Sequence, residues 1–326
     1  MREHGEVTYV RCWKRSFGVG FHMLNPLVRR IFSPGKFERV LAERLTEPLH
    51  VNIAAAFVAL FGSFRRKVDF DLVIRPQYAF PILRAADLAR EWGYTRLTIL
   101  EFGVASGAGL LNICRIAENV TKATGITFRV VGFDTGTGMP PPIDYRDLPE
   151  IYQAGDFPMD VERLRNNLPV NCELIIGDIA ETLPRFLQTV TADAPIGFAS
   201  IDVDYYSSAK QALEIFRGSP DKYLPLLPIY LDDVGDITVN PWVGEALAVN
   251  EFNTENELRK IAPWTMLRAR RLCKNAKWID HIFGVHIHDH KIRTPGGRVG
   301  RRLTIDNEFI GVAFKDAPAG ERPKAA

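Results

Sequence analysis

The sequence predicts an α/β fold: a mostly parallel seven-stranded sheet with helices on both faces, an antiparallel C-terminal hairpin at its edge, and an N-terminal helical extension. Three observations carry this expectation. From Leu97 onward, short apolar runs alternate with amphipathic stretches, the pattern of strand–helix–strand units. The first run, Leu97-Thr-Ile-Leu-Glu-Phe, leads directly into a glycine turn, Gly103-x-x-x-Gly107-x-Gly109. Later runs end in acids: Asp134, then Asp202 and Asp204, then Asp232 and Asp233.

The elements follow in order. Residues 1–35 interleave basic and aromatic side chains, among them Arg11, Trp13, Lys14, Arg15 and Phe17. Too few cations cluster for a nucleic-acid arm, and a solvated or oligomer-packing extension is the simpler reading. Residues 36–62 carry Phe37, Val40, Leu41 and Leu45 at helical spacing. That helix is expected to pack on the core or on a second subunit, so a homodimer is one expectation. Residues 79–91 form a second amphipathic helix, with Ile82, Leu83, Ala86 and Leu88 apolar and Gly93 as a stop signal. Strands are expected at 97–102, 127–133, 172–176, 196–202, 226–231, 278–288 and 308–314, and helices at 108–121, 160–167, 181–189, 207–217 and 242–260. Between the last two strands lies a Pro/Gly-rich basic loop beginning at Lys291, too irregular for a crossover helix, so these strands are expected to pair as the hairpin. Residues 316–326 read as a disordered tail. The chain thus divides into an extension (1–75), an α/β domain (76–315) and a tail.

Composition excludes several classes. The 326 residues are 46% hydrophobic and 25% charged, with a net charge of +2. That is ordinary globular composition, without the basic footprint of a nucleic-acid binder. No apolar run approaches the ~20 residues of a membrane-spanning helix, and no signal-type stretch follows Met1. A cytoplasmic protein is expected. The four cysteines are scattered and form no zinc spacing.

A strand feeding a glycine turn lets backbone N–H groups and a helix start approach a ligand closely. An acid on the tip of the next strand, Asp134, can accept hydrogen bonds from a ribose diol. The spacing is not the G-x-G-x-x-G of dinucleotide binders. Glu101, just before the first glycine, would repel a pyrophosphate but accept hydrogen bonds from an ammonium. The acid pairs add a second requirement. Strand ends converge in this kind of sheet, and two carboxylates ~4 Å apart repel by about 4 kcal/mol at an effective dielectric near 20. No Lys or Arg lies inside either motif. A hard cation with oxygen ligands is the economical relief. Without a ligand, the glycine turn would be a plain strand-to-helix connection and the acids would be helix caps, Asp204 before Tyr-Tyr-Ser-Ser included.

The run from Arg75 to Phe252 resembles the macrocin-type O-methyltransferases, metal-dependent sugar methyltransferases of the class I, S-adenosylmethionine-dependent kind. The residues that carry the resemblance are Gln77-Tyr-Ala, Glu101-Phe-Gly-Val-Ala-Ser-Gly-Ala-Gly, Gly132-Phe-Asp-Thr-Gly-Thr-Gly-Met-Pro, Gly177-Asp178-Ile-Ala-Glu-Thr-Leu-Pro, Ile201-Asp-Val-Asp-Tyr-Tyr and Leu231-Asp-Asp. The resemblance implies a Rossmann-like methyltransferase sheet, S-adenosylmethionine as cofactor, and Mg2+ or another divalent cation. Position by position, it implies that Glu101, Gly103 and Gly107 line the methionine end of the cofactor. Asp134 holds the ribose hydroxyls and Asp178 meets the adenine amino group. Asp202, Asp232 and Asp233 fall on the metal-ligand positions, and Asp204 either just behind those ligands or at the acceptor. Two places depart from the pattern: Ser200 stands where a His is common, and Thr135-Gly-Thr-Gly follows the ribose acid. They bear on the acceptor rather than on the fold.

The implied activity is methyl transfer to a hydroxylated small molecule, sugar or natural product, with Asp202 and Asp204 as catalytic acids. Asp204 is the first candidate for the base and a C-terminal His the second. Two rival readings stand: a non-catalytic module that kept the crevice, and a methyltransferase on another acceptor class such as nucleic acid. The low charge and the lack of an N-P-P-Y or D-P-P-Y tetrad disfavour the nucleic-acid case. His286, His288 and His290 alternate along the 278–288 strand and its end, which puts them on one strand face. Neighbours on one face lie about 6.5–7 Å apart, so a zinc site would need ligands from another element too.

Overall fold

The computed structural model describes residues 44–235 and 240–297. The expectations for residues 1–43, for the strand at 308–314 and for the tail fall outside them. Seven strands are described: β1 (Arg96–Phe102), β2 (Thr127–Asp134), β3 (Cys172–Ile176), β4 (Ile196–Ile201), β5 (Leu226–Leu231), β6 (Arg259–Pro263) and β7 (Ile282–Ile287). They form one sheet in the order β3-β2-β1-β4-β5-β7-β6. The first five are parallel, and β7 runs antiparallel to both of its neighbours. β1 and β4 lie side by side although two strands and three α-helices separate them in the chain, because the path runs out to β3 and then returns. That reversal opens a crevice at the carboxyl ends of β1 and β4, where ligands bind in sheets of this kind. Their near-continuous apolar sequences follow from their place: β4 is buried along its whole length and β1 along all but its first residue.

The helices are α1 (Leu49–Phe61), α2 (Phe64–Asp69), α3 (Pro76–Glu91), α4 (Ala108–Thr124), α5 (Val161–Arg165), α6 (Ile179–Thr189), α7 (Tyr206–Leu213), α8 (Gly244–Glu255) and α9 (Leu267–Arg270). The crossovers β1–α4–β2 and β4–α7–β5 step in opposite directions along the sheet, so right-handed connections put α4 and α7 on opposite faces. α3 packs beside α4, and α7 packs between α6 and α8. Pro76 opens α3 with a preset φ. Gly125, at φ +80°, ends α4 with its N–H on Thr121 O.

One expectation about the C-terminal third is corrected. The helix expected at 242–260 stops at Glu255, and β6 follows. Helix-forming residues enter a strand there because Asn253 reaches across: its side chain donates to Ile261 O (2.8 Å) and accepts from Ile261 N (2.7 Å). An antiparallel pair is present at the sheet edge as β6 and β7, and the partner strand expected at 308–314 lies outside the described residues. β5 and β6 occupy the two edges of β7, with Leu226 and Lys260 both opposite His286.

α1 exposes Leu49, Ile53, Phe57, Leu60 and Phe61, and of its residues only Ala55 is buried. The following segment is integral to the core: Val68 is fully buried. Arg271 fixes it. The guanidinium donates to Val68 O (2.8 Å), Asp69 O (3.1 Å) and Asp71 Oδ1 (2.6 Å), and lies 4.8 Å from the Phe80 ring centroid and 5.3 Å from that of Trp278. Both partners of this ion pair are buried, at 4% and 8% side-chain exposure. Burial pushes the Asp71 carboxyl up to about 6, against the pull of Arg271 and Arg44.

Candidate active site

The carboxyl ends of β1, β2, β4 and β5 open onto a cavity of about 350 Å³. Gly103, Asp134, Asp202, Asp204 and Asp232 all line it. Its floor includes Phe133, stacked 4.7 Å from Phe102 at an interplanar angle of 14°. The opposite wall is a loop carrying Met139, Pro140, Asp156 and Phe157, closed on itself by Met139 N–H to Asp156 O (2.8 Å) and Gly155 N–H to Met139 O (2.9 Å).

The glycine turn is built by conformations that other residues resist. Gly103 has φ +84°, and a Cβ there would stand 1.7 Å from the carbonyl oxygen of Asp202. Gly107 has φ +80° and precedes α4. Even Ala105 is held at φ +46°. Asp134 is the latch: its Oδ2 accepts from Val104 N (3.0 Å) and Ala105 N (2.8 Å), and its Oδ1 from Gly136 N (2.7 Å). The expected ribose acid therefore also shapes the loop beneath it. Gly103→Ala combines a left-handed φ with a backbone clash, and is expected to cost about 2–3 kcal/mol and to abolish ligand binding in the cavity. Urea melts and titration calorimetry check both effects.

Glu101 is 2% exposed and lies beneath the turn rather than on the cavity wall. Gly109 makes room for it, since a Cβ there would sit 2.0 Å from Glu101 Oε1. The Tyr78 hydroxyl donates to Oε1 at 3.2 Å, while Oε2 has no partner. Burial pushes this carboxyl up to about 8, opposed by Arg75 and by the Tyr78 hydrogen bond. Asp178 caps α6 through Ala180 N (2.7 Å), and its neighbour Ile179 reaches the cavity.

The acid pairs come together as the sheet requires. Burial, and then the charges of Asp232, Asp233, Asp204 and Glu101, hold the Asp202 carboxyl well above the usual range. Asp204 is raised too, by burial first, with Tyr152 hydrogen-bonded to it. It is no helix cap: its φ is +57°, and the residue preceding α7 is Tyr205. The Asp204 N–H donates to Asp233 Oδ2 at 3.1 Å. Asp233 is thereby turned under the loop and does not line the cavity, so Asp202, Asp232 and Asp233 do not stand as a ready cage. Among the described residues no group of three or more His, Cys, Asp or Glu is arranged to hold a metal ion.

The structure adds residues that the sequence did not flag. Glu245, at the start of α8, is fully buried; its Oε2 accepts from Asp233 N (3.1 Å) and its Oε1 has no partner. The only sequence signal was an acid in the first turn of a helix, which the helix dipole explains anywhere. Tyr230 donates to Asp232 and meets Tyr78 edge-on, with centroids 5.6 Å apart. His281 hydrogen-bonds Leu231 O through Nδ1 (3.0 Å) beside the acid turn. His286, by contrast, pairs with Leu226 at the far end of β5. The antiparallel run of β7 carries His286, His288 and His290 away from the cavity, so none of them serves there. His290 is buried between Tyr94 and Ile292 N, and His286 stacks on His288.

No family model and no curated protein matches the chain. Several solved structures are similar. CalS11, calicheamicin methyltransferase, is 24% identical over 68% of this chain and 85% of its own, with a TM-score of 0.41. MycE methyltransferase from the mycinamycin biosynthetic pathway, in complex with Mg and SAH, is 11% identical over 62% of this chain and 48% of its own, with a TM-score of 0.33. A structure of cmcI with Mg and SAM is 16% identical over 62% of this chain and 69% of its own, also with a TM-score of 0.33. By its strand order, the reversal of β7 and its glycine turn, the chain has the Rossmann-like class I methyltransferase fold.

Proposed function

We propose that this chain is an S-adenosylmethionine-dependent O-methyltransferase, assisted by a divalent cation and acting on a hydroxylated small molecule. One observation carries the reading. Gly103 and Asp134 of the nucleoside-type turn open onto the same cavity as Asp202, Asp204 and Asp232. The cavity's size falls within the range of small-molecule sites.

In this reading the cofactor's methionine end lies at Glu101, Gly103 and Gly107, its ribose at Asp134 and its adenine toward Asp178 and Ile179. The donors at the acid end are oxygen atoms, which suits a cation of the magnesium class. Such a cation supplies Lewis acidity that lowers the pKa of an acceptor hydroxyl. The chain's own groups do the rest. Asp202 and Asp232 would hold the cation and orient the acceptor, and Asp204 takes the acceptor's proton. Met139, Pro140 and Phe157 pack its apolar surface and keep water from the methyl group. Transfer from a sulfonium is an in-line displacement, so holding the oxygen in line is the larger part of the task.

Calorimetric titration with S-adenosylmethionine, with and without magnesium, tests this. Micromolar binding supports it; no binding under any condition sinks it and leaves the partner-binding module as the better account. The pH dependence tests the cofactor's seat separately. Glu101 is neutral in the free protein below about 8, whereas an ammonium against it favours the carboxylate. Binding then expels a proton, so affinity rises with pH by up to about tenfold per unit below about 8, and falls again above it as the ligand's own α-amino group, with an ordinary pKa of about 8, loses its proton. An affinity that stays flat over that range would remove Glu101 from contact with the ammonium.

A further inference from the structure

We propose that Arg75 holds the carboxylate of the cofactor's amino-acid end. The inference rests on the methyltransferase reading and extends it to a residue outside the glycine turn and the acid pairs. The amino-acid end of the cofactor is a zwitterion. Glu101 suits its ammonium and, with the acid pairs beyond, repels its carboxylate, so a cation is needed on the same side. Arg75 supplies one. It stands at the N-cap of α3, half-buried, with its guanidinium 5.3 Å from the Tyr78 ring centroid. The same tyrosine donates to Glu101 Oε1. Arginine, tyrosine and acid thus form one stack at the start of the turn, and the Arg75 charge is felt at both Tyr78 and Glu101.

Two further features fit a ligand contact better than a structural one. Among the described residues, every ion pair found leaves Arg75 out. Its backbone is left-handed, at φ +56°, a conformation that is unfavourable for arginine and that collects at functional sites. A guanidinium offers two parallel N–H donors that match a carboxylate. Stacking on Tyr78 limits its freedom, so less is lost when the ligand arrives.

The test pairs a side chain with a ligand group. Wild type, Arg75→Gln and Arg75→Lys are titrated calorimetrically with S-adenosylmethionine and with decarboxylated S-adenosylmethionine, and thermal melts check that each variant is folded. Wild type should prefer the carboxylate-bearing ligand by about 10–100-fold, the worth of a hydrogen bond between charged groups. Arg75→Gln should bind the two ligands alike, with its affinity for the decarboxylated one within about twofold of wild type. Arg75→Lys should keep part of the preference. Equal weakening of both ligands in Arg75→Gln, or weakening of neither, overturns the assignment. A wild type that binds both ligands alike does so as well, while leaving the methyltransferase reading intact. A wild type that binds neither removes that reading and the assignment with it.

Discussion

Asp202→Asn is expected to lower methyl transfer about 1000-fold while making the free protein more stable. The two effects share one cause. Asp202 is half-buried beside Asp232, Asp233, Asp204 and Glu101, and its carboxyl is held well above the usual range. Because its folded pKa lies above the unfolded value, ionisation is penalised in the fold but not in the open chain. The penalty is absent near the unfolded value and grows as pH rises. Asparagine keeps the shape and removes the charge, so its advantage should be small at pH ~4 and largest on the alkaline side. Added magnesium should close the gap from the other direction. At about 100 times its dissociation constant, a ligand of the native state stabilises by ~2.7 kcal/mol, and only wild type should respond. Thermal melts at two pH values, with magnesium or a chelator, read all of this beside a methyl-transfer assay. Full activity in the variant, or equal destabilisation at both pH values, would defeat the reading.

The second large effect concerns the scaffold. Arg271→Met is expected to cost about 3–5 kcal/mol, because it leaves Asp71 buried without its partner. The guanidinium also fills two backbone carbonyl positions and packs on Phe80 and Trp278, so packing is lost as well as charge. With Asp71 held up at about 6, the loss should be largest above that pH and shrink as the carboxyl takes up a proton. Asp71→Asn made in the same chain should recover part of the stability. Urea melts of the two single variants and the double variant give the coupling, and additive effects would show that the pair is not a unit.

Much of the parallel half of the sheet was legible because burial on both faces forces continuous apolar runs, and because strand ends at the crevice carry the glycines and acids. Leu97-Thr-Ile-Leu and Ile229-Tyr-Leu are strands on that ground alone. The acids at 134, 202, 204 and 232 could be expected in one place from the direction of their strands. What stayed hidden depended on tertiary contact. β6 was not expected as a strand, its first two residues being read into the preceding helix, and it shows only when Asn253 and β7 are beside it. Glu245 reads as an ordinary first-turn acid until α8 is seen to start beneath the Asp232–Asp233 turn. The histidines were expected on one strand face, but only the antiparallel pairing of β7 decides which end of the sheet receives them.

The place of β7 between β5 and β6 also governs how this chain is made. During synthesis β5 acquires its outer neighbour only when residue 287 has left the ribosome, long after the five parallel strands have emerged. Until then its apolar edge, with Leu227, Ile229 and Leu231, is open to strands of other nascent chains. A chain halted before Ile287 would therefore not yield a smaller working domain. It would yield an adhesive edge, and release from the ribosome at that length should lead to aggregation.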